Sequence, residues 1–95
     1  MSDLNVFGCW DLPKVHAYIL INVEVGKTSH VFNELTKIRQ ATHVSITAGE
    51  FDIIVRVTVD DLEELFLITE KVHRIDGIIK TVTHVVEKEI AKAEV

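Results

Sequence analysis

Three groups of residues in this 95-residue chain have side chains that could do chemistry. The histidines (His16, His30, His43, His73 and His84) and the lone cysteine Cys9 are donors of the kind that hold transition metals. His43, Ser45 and Asp52 are the residue types of a base, a nucleophile and an orienting acid. Gly49-Glu50-Phe51-Asp52 sets carboxylates beside a glycine. There a ligand could approach bare backbone while Asp52 accepts hydrogen bonds from an ammonium group.

Spacing separates these readings. The histidines and Cys9 occur singly, without a C-x-x-C or H-x-x-x-H pair. A metal site would need His16, His43 and His84 to converge across a sheet, and scattered surface histidines are the simpler state. No metal ligand and no cofactor is assigned. Residues two apart on a strand stand roughly 6.5–7 Å from each other, too far for ready proton transfer between His43 and Ser45. No oxyanion hole is visible either, so no catalytic residue is assigned. Asp52 is harder to absorb into structure. Asp is depleted in strands, and this one interrupts a β-branched run; its structural reading is a hydrogen bond to Thr47 or exposure to solvent.

The elements that must position these residues follow from pattern. Residues 16–25, HAYILINVEV, are rich in β-branched and aromatic types and predict a strand closed by Gly26. Residues 28–40 carry Val31, Leu35 and Ile38 at helical spacing. Residues 43–48 and 51–59 predict a hairpin around a two-residue Gly49-Glu50 loop of type II′, with Gly49 at positive φ. Residues 60–75 predict a second helix, capped by Asp60 with Glu63 and stopped by Asp76-Gly77. Its buried stripe would be Leu62, Leu65, Phe66, Thr69, Val72 and Ile75, with Leu62 facing the core. Residues 78–87 predict the last strand, and a charged tail compatible with a helix follows.

The order is β-α-β-β-α-β, an α+β ferredoxin-like plan with two helices on one face of an antiparallel sheet. The hairpin register assigns the faces. Val44, Ile46, Ala48, Phe51, Ile53, Val55 and Val57 form an apolar set that belongs under the helices. The first strand contributes Ala17, Ile19, Ile21 and Val23. Tyr18, Leu20, Asn22, Ile54 and Arg56 then point away, onto a face that nothing in the chain covers. Open sheet faces with large apolar side chains tend to associate, so these five residues are expected to form a dimer face, giving a dimeric α+β barrel. Small cofactor-independent oxygenases and isomerases share that plan. In such an enzyme His16, Asn22 and Trp10 would serve inside the sheet-lined cavity, and this is the enzymatic alternative.

Composition limits the partners. The chain is one domain's length, 47% hydrophobic and 26% charged, which excludes a disordered tail. It holds more apolar material than a small core hides, a further reason to expect a second subunit. Ten basic residues against fifteen acidic ones give a net charge of −5, which disfavours direct nucleic-acid binding. No stretch reaches the roughly 18 apolar residues of a membrane span, and Met1-Ser2-Asp3-Leu4-Asn5 lacks the basic start and apolar run expected of a signal peptide. One cysteine builds no internal disulfide, so a cytoplasmic location is expected. The apolar N-terminal residues Val6, Phe7 and Trp10 are expected to dock on their own or a neighbouring subunit.

Thr47-Ala48-Gly49-Glu50-Phe51-Asp52 with Ile53-Ile54-Val55 resembles the T-G-x-[YF]-D signature of the effector-binding domain of the leucine-responsive/AsnC family of regulators. The resemblance runs through Asp61-Leu62-Glu63-Glu64-Leu65 and Gly77-Ile78, and ends at Thr81-Val82-Thr83-His84-Val85-Val86, similar to that family's T-x-T-Y-V-V strand. Thr47 is displaced by one position from the usual T-G pair, and His84 stands where the family often has Tyr. Residues 16–88 are covered, flanked by an N-terminal extension, 1–15, and a charged tail, 89–95.

The resemblance implies a stand-alone effector-binding (RAM) domain, since some fifteen residues before the first strand are too few for a helix-turn-helix. It implies a homodimer joined through the sheet faces, assembling into an octamer-like ring of dimers. A small effector, commonly an amino acid, would sit at subunit interfaces against Gly49, Glu50, Phe51, Asp52, Leu62, Thr83, His84, Val85 and Val86. The output would be altered assembly, or pairing with full-length regulators of the same family, without enzymatic activity.

Overall fold

The computed structural model describes residues 13–92. The N-terminal segment with Cys9 and Trp10 lies outside them. The elements run β1 (Val15–Val23), α1 (Thr28–Thr36), β2 (Ala41–Ile46), β3 (Ile53–Val59), α2 (Leu62–His73) and β4 (Ile78–Val85). The strands pair antiparallel in the order β2-β3-β1-β4. This is the ferredoxin-like α+β arrangement that the pattern predicts. No helix of the described residues is long and apolar enough to cross a membrane.

Strict alternation in the two central strands builds the core. Ala17, Ile19, Ile21 and Val23 of β1 and Ile53, Val55, Val57 and Val59 of β3 are buried toward the helices. Val31 and Leu35 of α1, Ile38 just beyond it, and Leu65, Ile68 and Val72 of α2 close over them. The buried set is entirely aliphatic, so burial of apolar area and close packing carry its stability.

The edges depart from the sequence reading. The register Ile46↔Ile53, Ser45↔Ile54, Val44↔Val55, His43↔Arg56 is the expected one, but the two-residue loop is not formed. Residues 47–52 make a longer connection. The Thr47 hydroxyl donates to the Phe51 carbonyl (2.6 Å) and the Thr47 N–H to the Asp52 carbonyl (2.9 Å). These bonds close the loop without a II′ turn, and Gly49 is not among the positive-φ glycines. Ile46 is 56% exposed and Ala48 is exposed, against expectation. β2 is an edge strand, and the nine-residue α1 is too short to cover its far end.

Helix α1 stops at Thr36, not Gln40, because the Ala41 N–H bonds the Ile38 carbonyl (3.1 Å) in a tight turn into β2. Helix α2 begins one residue later than predicted. Asp61, not Asp60, accepts the Glu64 N–H (2.8 Å), while the Glu64 carboxylate accepts the Asp60 N–H (2.7 Å). Leu62 and Phe66 are each 61% exposed rather than buried. They lie roughly a quarter turn or more from the centre of the Leu65–Ile68–Val72 stripe. After α2, Gly77 at φ +106° is required: a Cβ there would stand 2.8 Å from Lys27 Cβ.

Candidate functional site

One group of candidate residues sits at the β2–β3 loop. Gly49 and Glu50 are exposed, and Phe51 and Asp52 half-buried. The Asp52 N–H donates to the Ile21 carbonyl (2.9 Å), and its Oδ2 accepts the Val23 N–H (2.8 Å). The carboxylate's partner is therefore the end of β1, and the expected cross-strand hydrogen bond between Asp52 and Thr47 forms through their backbones instead. The carboxylate takes the β1 amide that lies beyond the last β1–β3 pair, Ile21↔Ile53. Oδ1 is given no partner by the described residues, so one oxygen remains to accept a further donor.

The second group sits at the opposite end of the sheet. Leu62 opens α2, and Thr83, His84 and Val85 are exposed on the outer strand β4. Thr83 and Val85 pair with Ile19 and Ala17, on the helix side, whereas His84 pairs with Tyr18 on the open side. Val86 is half-buried, its N–H donating to the His16 carbonyl (2.8 Å). Val85 faces Ala17, while Ile53, next to Asp52, faces Ile21. Measured along β1 from the Ile21↔Ile53 pair, Thr83 stands two residues away, roughly 7 Å, and Val85 four, roughly 13 Å, and β1 itself lies between β3 and β4. A single chain does not bring them together.

The open face is a grid. One row reads His43–Arg56–Tyr18–His84 and the next Ser45–Ile54–Leu20–Val82, with Asn22–Lys80 beyond. Tyr18, Leu20, Asn22, Ile54 and Arg56 are all half-buried. The face is not bare, as the sequence reading had it. The tail after β4, irregular and not helical, crosses one end of it. Glu89 accepts a hydrogen bond from Arg56 Nη2 (2.6 Å) through one oxygen and from the Tyr18 hydroxyl through the other.

Further bonds hold this cradle. Arg56 Nη1 donates to the hydroxyls of Thr42 and Thr58 (both 3.3 Å), and Thr58 meets His16 Nδ1 (2.9 Å). The Arg56 guanidinium, with the Tyr18 hydroxyl, lowers the Glu89 carboxyl to about 2, and Glu89 in turn raises Arg56. Tail and sheet border an open cleft of about 790 Å³. Glu89 was missed by sequence reading. The available signal was Arg56 itself, a cation on a central strand with only Tyr18 and His43 across from it. Such a guanidinium needs a carboxylate from elsewhere.

The strand histidines do not converge. His43 and His84 end the same row with Arg56 and Tyr18 between them, roughly 14 Å across the strands. Among the described residues no group of three or more His, Cys, Asp or Glu could hold a metal ion.

Residues 16–95 match the family model of the Lrp/AsnC ligand binding domain. The chain belongs to this family. An HTH-type transcriptional regulator of Pyrococcus abyssi is 40% identical over 73 residues, 76% of this chain and 46% of that protein. This Lrp/AsnC domain spans about half the length of the curated relatives it matches. A solved hypothetical protein of Pyrococcus horikoshii is 33% identical with TM-score 0.72, covering 79% of this chain and 92% of that one. A Neisseria meningitidis transcriptional regulator, solved as an L-Met complex, shares the fold alone. It is 16% identical with TM-score 0.71, covering 82% of this chain and 53% of that one. The family model makes this a ligand-binding domain, and the relatives that carry a similar domain are named as transcriptional regulators.

Proposed function

We propose that this chain is an oligomerisation module that senses a small molecule, an amino acid, and modulates transcription regulation without itself contacting DNA. The observation that carries the reading is the separation of the two candidate groups. A pocket made from both the Gly49–Asp52 loop and the Leu62, Thr83–Val86 end needs a second subunit. The free Asp52 oxygen suits an ammonium group, and exposed backbone around Gly49 and Glu50 suits the rest of an amino acid. The L-Met complex of the same fold supports this ligand class.

Two copies pair through Tyr18, Leu20, Asn22, Ile54 and Arg56. The exposed Leu62, Phe66, Leu67 and Ile79 on the outer side suit contacts that join dimers into a ring, or into a mixed assembly with full-length regulators. The net charge of −5 supports a role away from the DNA. An effector bound at a seam stabilises the assembly that holds it best, by RT ln(1 + [L]/Kd).

The test is a thermal-shift and sedimentation series over the twenty common amino acids. At least one should raise the melting temperature or change the assembly. Asp52→Asn keeps an oxygen for the Val23 N–H but removes the charge, so it should abolish that response while the protein stays folded. A wild type indifferent to all twenty would end the amino-acid reading.

A further inference from the structure

The tail that crosses the open face occupies ground that subunit pairing needs. Packed sheets lie about 10 Å apart, a gap filled by the side chains of the two inner faces. An additional backbone between them does not fit. Residues 86–91 line the cleft above His16, Tyr18, His43 and Arg56. The Tyr18 and Arg56 side chains that a partner would meet are already bonded to Glu89. Ser45 and Ile54 of the neighbouring row also line this cleft, whereas Leu20 and Val82 do not, so only the β1–β4 half of that row lies clear of the tail.

We propose that residues 87–91 form a displaceable strap, in which the Arg56–Tyr18 cradle is a carboxylate site filled by Glu89 and the strap competes with a second copy for this end of the sheet. The inference rests on the reading above that the open faces pair. It adds a control on that pairing. With the strap closed the chain stays single; with it open the Arg56 row joins the Leu20–Ile54 row in one continuous contact surface. Both subunits must open, so the effect on the dimer is squared. A tenfold bias toward the closed strap would weaken the dimer roughly a hundredfold.

The experiment compares wild type with Glu89→Gln and with a chain ended after Lys88. Dimer Kd is measured by sedimentation over a dilution series, and tail order by the ¹⁵N heteronuclear NOE of residues 87–91 at the lowest workable concentration. Wild type should show an ordered tail. Glu89→Gln should loosen the tail and tighten the dimer tenfold or more, and the truncated chain should tighten it at least as much. An unchanged Kd in both variants would overturn the strap while leaving pairing intact. A weakened dimer would overturn it too, by showing that the tail belongs to the interface. If no chain dimerises at millimolar concentration, face pairing fails and the competition falls with it, whatever the tail NOE reports.

Discussion

Asp52 shows how one side chain can serve both the fold and a ligand. Its Oδ2 holds the Val23 N–H, an amide that would otherwise lie unpaired at the end of β1. Asp52→Ala should therefore destabilise by about 1–3 kcal/mol, the usual cost of an unsatisfied backbone donor. Asp52→Asn should recover most of that loss in urea denaturation. Gly77→Ala makes a second test, since its φ of +106° and the 2.8 Å approach of Lys27 Cβ leave no relaxed position for a methyl group. A loss above about 1 kcal/mol is expected. The sequence marked Asp52 as exceptional and paired it with Thr47, which it meets through the backbone, but did not reveal the partner of its carboxylate. An Asp in a β-branched run is visible in one dimension, whereas an amide 29 residues away becomes its neighbour only through strand pairing. Gly49 failed for the opposite reason: the Thr47 hydroxyl closed the loop, and no positive φ was needed there.

At the scale of elements, period-two alternation carried the reading. It gave the hairpin register and the buried faces of β1 and β3 correctly, because a one-residue slip would turn every aliphatic side chain to the wrong side. Ends were less legible. Asp60 and Asp61 are adjacent acids, each followed three residues later by a Glu, so composition alone could not choose the cap. The geometry chooses Asp61, whose carboxylate accepts the Glu64 N–H. Asp60 instead meets Lys14 at 2.6 Å, with both side chains more than half exposed. Asp61→Ala should cost about 1 kcal/mol. Asp60→Ala should stay within about 0.5 kcal/mol, as surface pairs usually do. Leu62 is decided by the helical wheel and not by the cap: it stands about 90° from the centre of the Leu65–Ile68–Val72 stripe and is 61% exposed.

For the molecule as a whole, the decisive contact joins the two most distant parts of the described chain, β1 and the tail. Sequence reading left it out because a charged segment beyond the last strand carries no periodicity to mark where it lands. Its pH dependence follows from Glu89. Arg56 and Tyr18 face this carboxylate directly, and His16 also favours its charged form; Lys14, His43 and Lys88 line the same cleft. A carboxyl lowered from 4.5 to about 2 in the closed strap contributes docking that is fully present above pH 4.5. That contribution is lost as pH falls through about 2. The ordered tail NOE should therefore persist from pH 7 to 5, weaken below 4.5 and vanish near 2, provided that far-UV circular dichroism shows the sheet still folded. Glu89→Gln, with no proton to gain at this position, should give a low and flat profile over the same range. A wild-type tail that stays ordered to pH 2 with the sheet intact would mean that packing, not the Arg56–Glu89 pair, holds it down.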